Sequence, residues 1–210
     1  MIPTRRERQH DATIGEIKQV ARRQMAEQGT AAISLRAIAR EMGMTAPAIY
    51  RYFASRDELI TALILDAYNA QADAIEHAVA SQSESDARVR LRAAIYRYRD
   101  WALEHPVEYQ LILGNPIPGY SAPAEVTMPA ARRTMRVFVD LTAQASGGDS
   151  AAETPSMGEV ARPEDLYGVL GAWALLHGLI SLEIFHHLQP IVGDAGALFR
   201  AEVEALLARL

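Results

Sequence analysis

The sequence predicts an all-α protein, and three observations carry that expectation. Apolar residues recur at three- and four-residue spacing along most of the chain, the period at which side chains share one helix face. The periodic segments are bounded by residues that start and stop helices: Ser34, Thr45 and Ser55 as acceptors for free first-turn amides, Gly29 and Gly43 as stops. No stretch shows the strict alternation of a half-buried strand.

Taken in order, residues 12–28 place Ile14, Ile17, Ala21 and Met25 close to helical spacing, and Gly29 ends the helix. Ser34 caps a short helix with Leu35, Ile38, Ala39 and Met42 on one side. After a tight Gly43-Met44 turn, Thr45 caps a second short helix that reaches Phe53. Pro47 falls in its first turn, where the amide lacks an intrahelical acceptor and the fixed φ of proline suits the helix. Ala54-Ser55 ends this helix, and Ser55 with Glu58 three residues on forms a capping box for the next. That helix runs from Arg56 beyond Tyr68 with Leu59, Leu63 and Ala67 inward. Further helices are expected at 86–104, 106–113, 123–145, 163–188 and 194–209, about nine in total. The stretches 115–123 and 146–163, rich in Gly, Ser and Pro, read as loops.

Composition bounds the function. Half of the 210 residues are hydrophobic and 22% are charged, enough to bury a core. With no cysteine there are no disulfides, thiolate metal sites or cysteine nucleophiles. The start, MIPTRRERQHD, is polar and basic, unlike a secretory signal. The longest apolar segment, 170–188, is interrupted by His177, Glu183, His186 and His187, so no membrane partner is expected and the protein reads as cytoplasmic. The net charge of −5 is unevenly spread: residues 1–60 carry 10 − 7 = +3, the rest 11 − 19 = −8. Either only the front meets a polyanion or the excess is ordinary solvated surface.

Residues 34–53 have the spacing of a helix-turn-helix, a supporting helix followed by one presented to a DNA major groove. Leu35, Ile38, Ala39, Met42, Ile49 and Phe53 would pack the unit. The second helix then offers Thr45, Ala46, Ala48, Tyr50, Arg51 and Tyr52. Tyrosine hydroxyls can donate to phosphates while the rings lie on sugars and thymine methyls, and Arg51 can read guanine or neutralise a phosphate. The alternative is that Tyr50 and Tyr52 only pack against the first helix.

From about residue 11 to 60 the chain resembles the DNA-binding domain of the TetR (tetracycline repressor) family of bacterial transcription regulators. The resemblance lies in Gly29 before Ile33-Ser34-Leu35-Arg36, then Ile38-Ala39, Met42-Gly43-Met44, Ile49-Tyr50-Arg51-Tyr52-Phe53 and Arg56-Asp57-Glu58-Leu59. It implies phosphate contacts from Ser34, Tyr50, Tyr52 and Arg56, and approach to bases or nearby backbone by Arg36, Ala46, Pro47 and Arg51. Ala46 and Ala48 stand where some members carry longer polar residues, so methyl contacts and DNA shape would carry more of the specificity. Arg56 stands where lysine is common.

The resemblance implies a division into a basic flexible arm (1–10), a helix-turn-helix domain (11–56) and an effector-binding, dimerising domain (57–210). Arg5, Arg6 and Arg8 of the arm either reach DNA or stay disordered. The helix 163–188 is apolar nearly all round, with Leu166, Leu170, Trp173, His177 and Ile180 on one side and Ala172, Leu175, Leu179 and Leu182 on another. One side would face its own core and the other, with Leu198, Ala201, Ala205 and Leu206, a second copy about a two-fold axis; the alternative is burial inside one monomer. Trp173, His177 and Gly178 resemble the Trp-His-Gly signature of one TetR subgroup, and Gly178 suggests a close helix approach. Aromatic and methionine side chains at Tyr98, Trp101, Tyr109, Leu113, Met128, Met135, Phe138, Trp173 and His177 are candidates for an apolar effector pocket.

The expected protein is thus a dimeric, ligand-responsive regulator, most simply a repressor, with no cofactor. Glu183-Ile-Phe-His186 matches the Glu-x-x-His of di-iron bundles, but such sites need a second motif plus two more carboxylates, and the other copy, Glu7 to His10, lies near the N-terminus. No nucleophile elbow, phosphate loop, dinucleotide fingerprint or zinc motif is present. A helical-bundle metal enzyme and a non-specific DNA-associated interaction module stand as the alternatives.

Overall fold

A computed structural model describes residues 4–82, 86–114, 117–147 and 163–210, the backbone alone for 163–166. Its elements are α1 (Arg5–Gln28), a 3-10 turn (Thr30–Ala32), α2 (Leu35–Glu41), α3 (Ala46–Ile49), α4 (Arg56–Ala80), α5 (Ala87–Glu104), α6 (Pro106–Leu113), α7 (Ala124–Ala145), α8 (Pro163–Ile184), α9 (Gln189–Val192) and α10 (Ala195–Leu207). No strand occurs among the described residues, so the protein is all-α. Most of the expected loop at 146–163 lies outside the described residues.

Among the described residues, ten helices replace the expected nine. The helix expected to reach residue 188 stops at Ile184, where His186 takes a positive φ of 59° and breaks the ladder. The chain restarts as α9, with Pro190 in a first turn that needs no amide. At the other end, α1 begins seven residues earlier than the apolar pattern indicates. Thr4 Oγ1 accepts from the Glu7 amide at 3.2 Å, and the Glu7 carboxylate accepts from the Thr4 amide at 2.6 Å. This capping box is closed by polar residues alone, so apolar periodicity could not signal it. Residues 5–10 of the stretch expected as a flexible arm are instead the first turns of α1.

The chain packs as two compact units, Met1–Asn69 with Val107–Pro129, and Ala70–Pro106 with Ala130–Leu210. This is not the division at residue 56 that the motif implied. Leu59, Ile60, Leu63 and Ile64 of α4, Leu111 of α6 and Ile117 share one buried cluster with Ile17, Ile38, Ile49 and Phe53. Asp66 reinforces it by pairing with Lys18 at 2.9 Å and Arg22 at 3.1 Å, while Arg22 also meets Glu108 at 3.2 Å. These pairs lace α1 to α4 and α6.

In the second unit α5, α8 and α10 touch one another and bury Ile95, Tyr98 and Trp101, then Leu176 and Ile180, then Phe199 and Val203. Arg99 of α5 grips Glu183 of α8 through two hydrogen bonds, 2.8 and 2.5 Å, with both side chains largely buried. Its guanidinium also lies 5.2 Å from the Phe199 ring centre. Arg133 of α7 similarly holds Asp73 and Glu76 of α4.

Candidate nucleic-acid interface

Helix α3 has four residues, too few to be stable alone, so its place is set by what it packs on. Ile49 is fully buried against the cluster that holds Leu35, Ile38 and Ala39 of α2. The turn between the helices is closed by the Met44 amide donating to the Ala39 carbonyl at 2.8 Å. Gly43 sits there at φ +66°, a conformation strained for any residue with a Cβ. The four-residue helix corrects the expected run to Phe53: residues 50–52 form a turn, and the Tyr52 amide bonds the Ile49 carbonyl.

With Ile49 inward, Thr45, Ala46, Pro47, Tyr50 and Arg51 are exposed. Tyr50 is 43% exposed. Arg36 is exposed on α2. Ser34 is the cap expected, its hydroxyl accepting from the Ala37 amide at 3.4 Å. Thr45 occupies the cap position of α3 but makes no side-chain cap bond, which leaves its hydroxyl outward. Pro47 stands in the first turn as expected. The capping box at Ser55 is altered: Ser55 Oγ accepts from the Glu58 amide at 3.1 Å, but Glu58 reaches the Ala54 amide rather than that of Ser55.

Three of the expected contact residues differ from the pattern. Ala48 is half-buried. Tyr52 is half-buried against the unit's core, and its ring stacks on His10 of α1 with centroids 5.0 Å apart. Arg56 is no free cation: Nε donates to the Ile33 carbonyl at 3.0 Å and an Nη to the Ala31 carbonyl at 3.1 Å. The first turn of α4 is thereby fastened to the segment that leads into α2. Sequence spacing could not reveal this clamp, because its partners are backbone carbonyls more than 20 residues away.

The candidate interface between copies is partly re-drawn. On α8, Leu175 and Leu182 are 38% and 41% exposed, whereas Ala172 and Leu179 are half-buried on its flank. The exposed line extends back through Gly171 and Tyr167 at four-residue steps, and Phe185 is exposed in the turn past the end of α8; the sequence reading missed these. A Cβ at Gly178 would meet nothing within 4 Å, so the close approach expected there does not occur among the described residues. On α10, Ala201 and Ala205 are exposed, while Leu198 and Leu206 are half-buried and the core is filled by Phe199, Val203 and Leu207. The segment Tyr167–Ile184 is long and apolar enough to cross a membrane by length and composition, yet little of it is buried within the chain.

The nine pocket candidates divide between the two units. Tyr109, Leu113 and Met128 belong to the first unit, and Tyr98, Trp101, Met135, Phe138, Trp173 and His177 to the second. Within the second, the Tyr98 and Phe138 rings meet edge to face at 5.8 Å and the Trp173 and His177 rings stack at 5.2 Å. Burial lowers the His177 pKa below its ordinary value. Two polar residues that pattern reasoning passed over are also buried in this unit, Gln71 at 2% and Thr134 at 7% exposure. The Gln71 Nε2 and Thr134 Oγ1 atoms have no hydrogen-bond partner among the described residues. Their signal in the sequence was faint: single polar residues on otherwise apolar stripes.

A profile of bacterial regulatory proteins of the tetR family matches residues 17–63, and one of the tetracyclin repressor-like C-terminal domain matches residues 91–206. The chain belongs to the TetR family. It is a transcription regulator with a helix-turn-helix DNA-binding domain. The HTH-type transcriptional regulator Rv1816 of Mycobacterium tuberculosis is 35% identical over 93% of this chain and 91% of its own. The crystal structure of SCO4313 superposes with a TM-score of 0.80 at 39% identity, covering 98% of this chain and 100% of that one. A protein from Rhodococcus sp. RHA1, 24% identical over 94% of each chain, shares the fold with a TM-score of 0.74. In this TetR-family regulator the Glu183–His186 pair has no metal geometry: Glu183 is held by Arg99, and His186 is exposed in the turn past the end of α8. The family and its Mycobacterium tuberculosis relative are transcription regulators, not enzymes.

Proposed function

We propose that this regulator is a homodimeric repressor of the cytoplasm that releases a palindromic operator when a small, largely apolar effector binds its second unit. The observation that carries the DNA half is the outer face of α3. Ile49 is wholly buried while Thr45, Ala46, Pro47, Tyr50 and Arg51 are all exposed, so a short helix is presented rather than packed away, with a basic residue in the turn that follows it. Arg51 can pair with guanine or phosphate, and Ala46 and Pro47 offer only apolar contact, which leaves part of the specificity to DNA shape. Tyr50 and Arg36 flank them as phosphate donors. Ser34 and Arg56 serve the same surface indirectly, by holding α2.

A second copy is supported by the apolar line on α8 and the small residues Ala201 and Ala205 on α10. An exposed line of this size on a soluble regulator calls for a partner, and a two-fold pair would repeat α3 at the ~34–36 Å spacing of successive half-sites. For the effector, Gln71 and Thr134 offer a buried amide donor and a hydroxyl among the apolar residues of the second unit, which favours an apolar molecule with one hydrogen-bonding acceptor. Coupling of about 1–3 kcal/mol would loosen operator binding roughly 5–150-fold.

Selection of duplexes from a random pool by the full-length protein tests this reading. A palindrome with half-sites one turn apart is expected. Arg51→Ala and Tyr50→Phe should then weaken binding to it without lowering the melting temperature. Recovery of no symmetric sequence would favour the non-specific interaction module instead.

A further inference from the structure

Helix α1 begins well outside the first unit's core. Residues Thr4–Ala12 are all exposed, and the first buried residue of the helix is Ile17. At ~1.5 Å per residue its first turns extend roughly 18 Å beyond that anchor. The Thr4–Glu7 capping box closes the free end. The stretch is oriented by one contact: the His10 ring lies against the Tyr52 ring, 5.0 Å between centroids and 21° between planes. Tyr52 belongs to the turn that directly follows α3. The stack therefore decides which side of α1 faces the presented helix.

Residues four apart share a helix face, so Arg6 stands one turn beyond His10 on that side. Arg6 is exposed and has no ion-pair partner among the described residues. Glu7, the nearest acid, is turned back onto Thr4. Arg8 lies about 160° round the helix from His10, on the far side.

We propose that Arg6, aimed by the His10–Tyr52 stack, is a second contact to the phosphate backbone of the duplex that α3 enters. This rests on the operator-binding reading above. A lone cation on a projecting, capped helix meets the outside of a duplex, where charge is dense and no base is offered. The contact is accordingly independent of sequence: it strengthens binding to every duplex and leaves the choice among duplexes to α3.

The test measures operator affinity of the full-length protein by fluorescence anisotropy across about 50 to 300 mM salt, for a selected operator and a scrambled duplex. Arg6→Ala should weaken both complexes about 3–10-fold and flatten the slope of log affinity against log salt by about one per subunit. His10→Ala should give the same change more weakly, since Arg6 remains but loses its alignment. Arg8→Ala should leave the slope as it was. An unchanged slope for Arg6→Ala, or an equal loss for Arg8→Ala, overturns the proposal. If Arg51→Ala also leaves operator affinity intact, it is the underlying DNA reading that fails, which separates the two cases.

Discussion

The short α3 and the long α8 both leave much of their surface in solvent, and what they leave there is opposite in kind. Helix α3 and the turn after it show Tyr50 and Arg51 beside Thr45, Ala46 and Pro47; α8 shows Tyr167, Leu170, Leu175 and Leu182. A basic, hydroxyl-bearing face is comfortable in water and waits for a polyanion. An apolar face costs about 25 cal/mol for each Å² left wet, so covering it would stabilise the protein. Burial alone does not separate the two helices. The chemistry of the exposed side does.

That contrast can be broken in several ways. The largest expected effect lies beneath the apolar face, where Arg99 and Glu183 anchor α8. Arg99→Ala strands a mostly buried carboxylate and should cost about 3–5 kcal/mol, lowering the melting temperature by roughly 10 °C. A melt within about 2 °C of wild type would show that α8 is held by apolar packing alone.

Next comes the face itself. Leu175→Glu with Leu182→Glu should convert a dimer to a monomer in light scattering and reduce operator affinity at least ~100-fold, while helix content by circular dichroism is kept. Retention of the dimer would place the interface elsewhere.

A smaller effect sharpens the role of Arg56. Loss of its two bonds to Ile33 and Ala31 in Arg56→Ala should cost about 1–2 kcal/mol of stability. Arg56→Lys should fail to restore it, since one ammonium cannot match the planar fork across both carbonyls. A residue that met only phosphate would behave in reverse, with lysine rescuing DNA binding and stability untouched.

The smallest effect is a pH dependence. Burial lowers the His177 pKa from the ordinary 6.5, so the unfolded chain binds the proton more readily than the folded one. The stability associated with neutral His177 is complete above about pH 6.5 and is lost as pH falls below it. Melting temperatures measured from about pH 8 down to 5 should decline in wild type and decline less in His177→Gln. Equal declines would assign the effect to other groups.

Much of the DNA-binding unit was legible because its signals are local. A cap and its amide lie three residues apart, as at Ser34 and Ala37, and a glycine that turns the chain does so at its own φ, as at Gly43. The start of α1 was missed for a related reason: it is set by Thr4 and Glu7, whose pattern has no apolar residue in it. The pocket candidates were the least legible. Aromatic and methionine content marks a residue as buriable but carries no address, and the nine candidates divide between two units.

The sequence by itself determined the all-helical architecture, the turn that sets α3 after α2, and the family. All of these follow from neighbours within a few positions or from a continuous match along the chain. Tertiary structure alone decided that Arg56 holds carbonyls, that Tyr52 stacks on His10, and which line of α8 stays uncovered. The first two join residues 23, 25 and 42 positions apart, and at such separations the partner is chosen by how the helices pack.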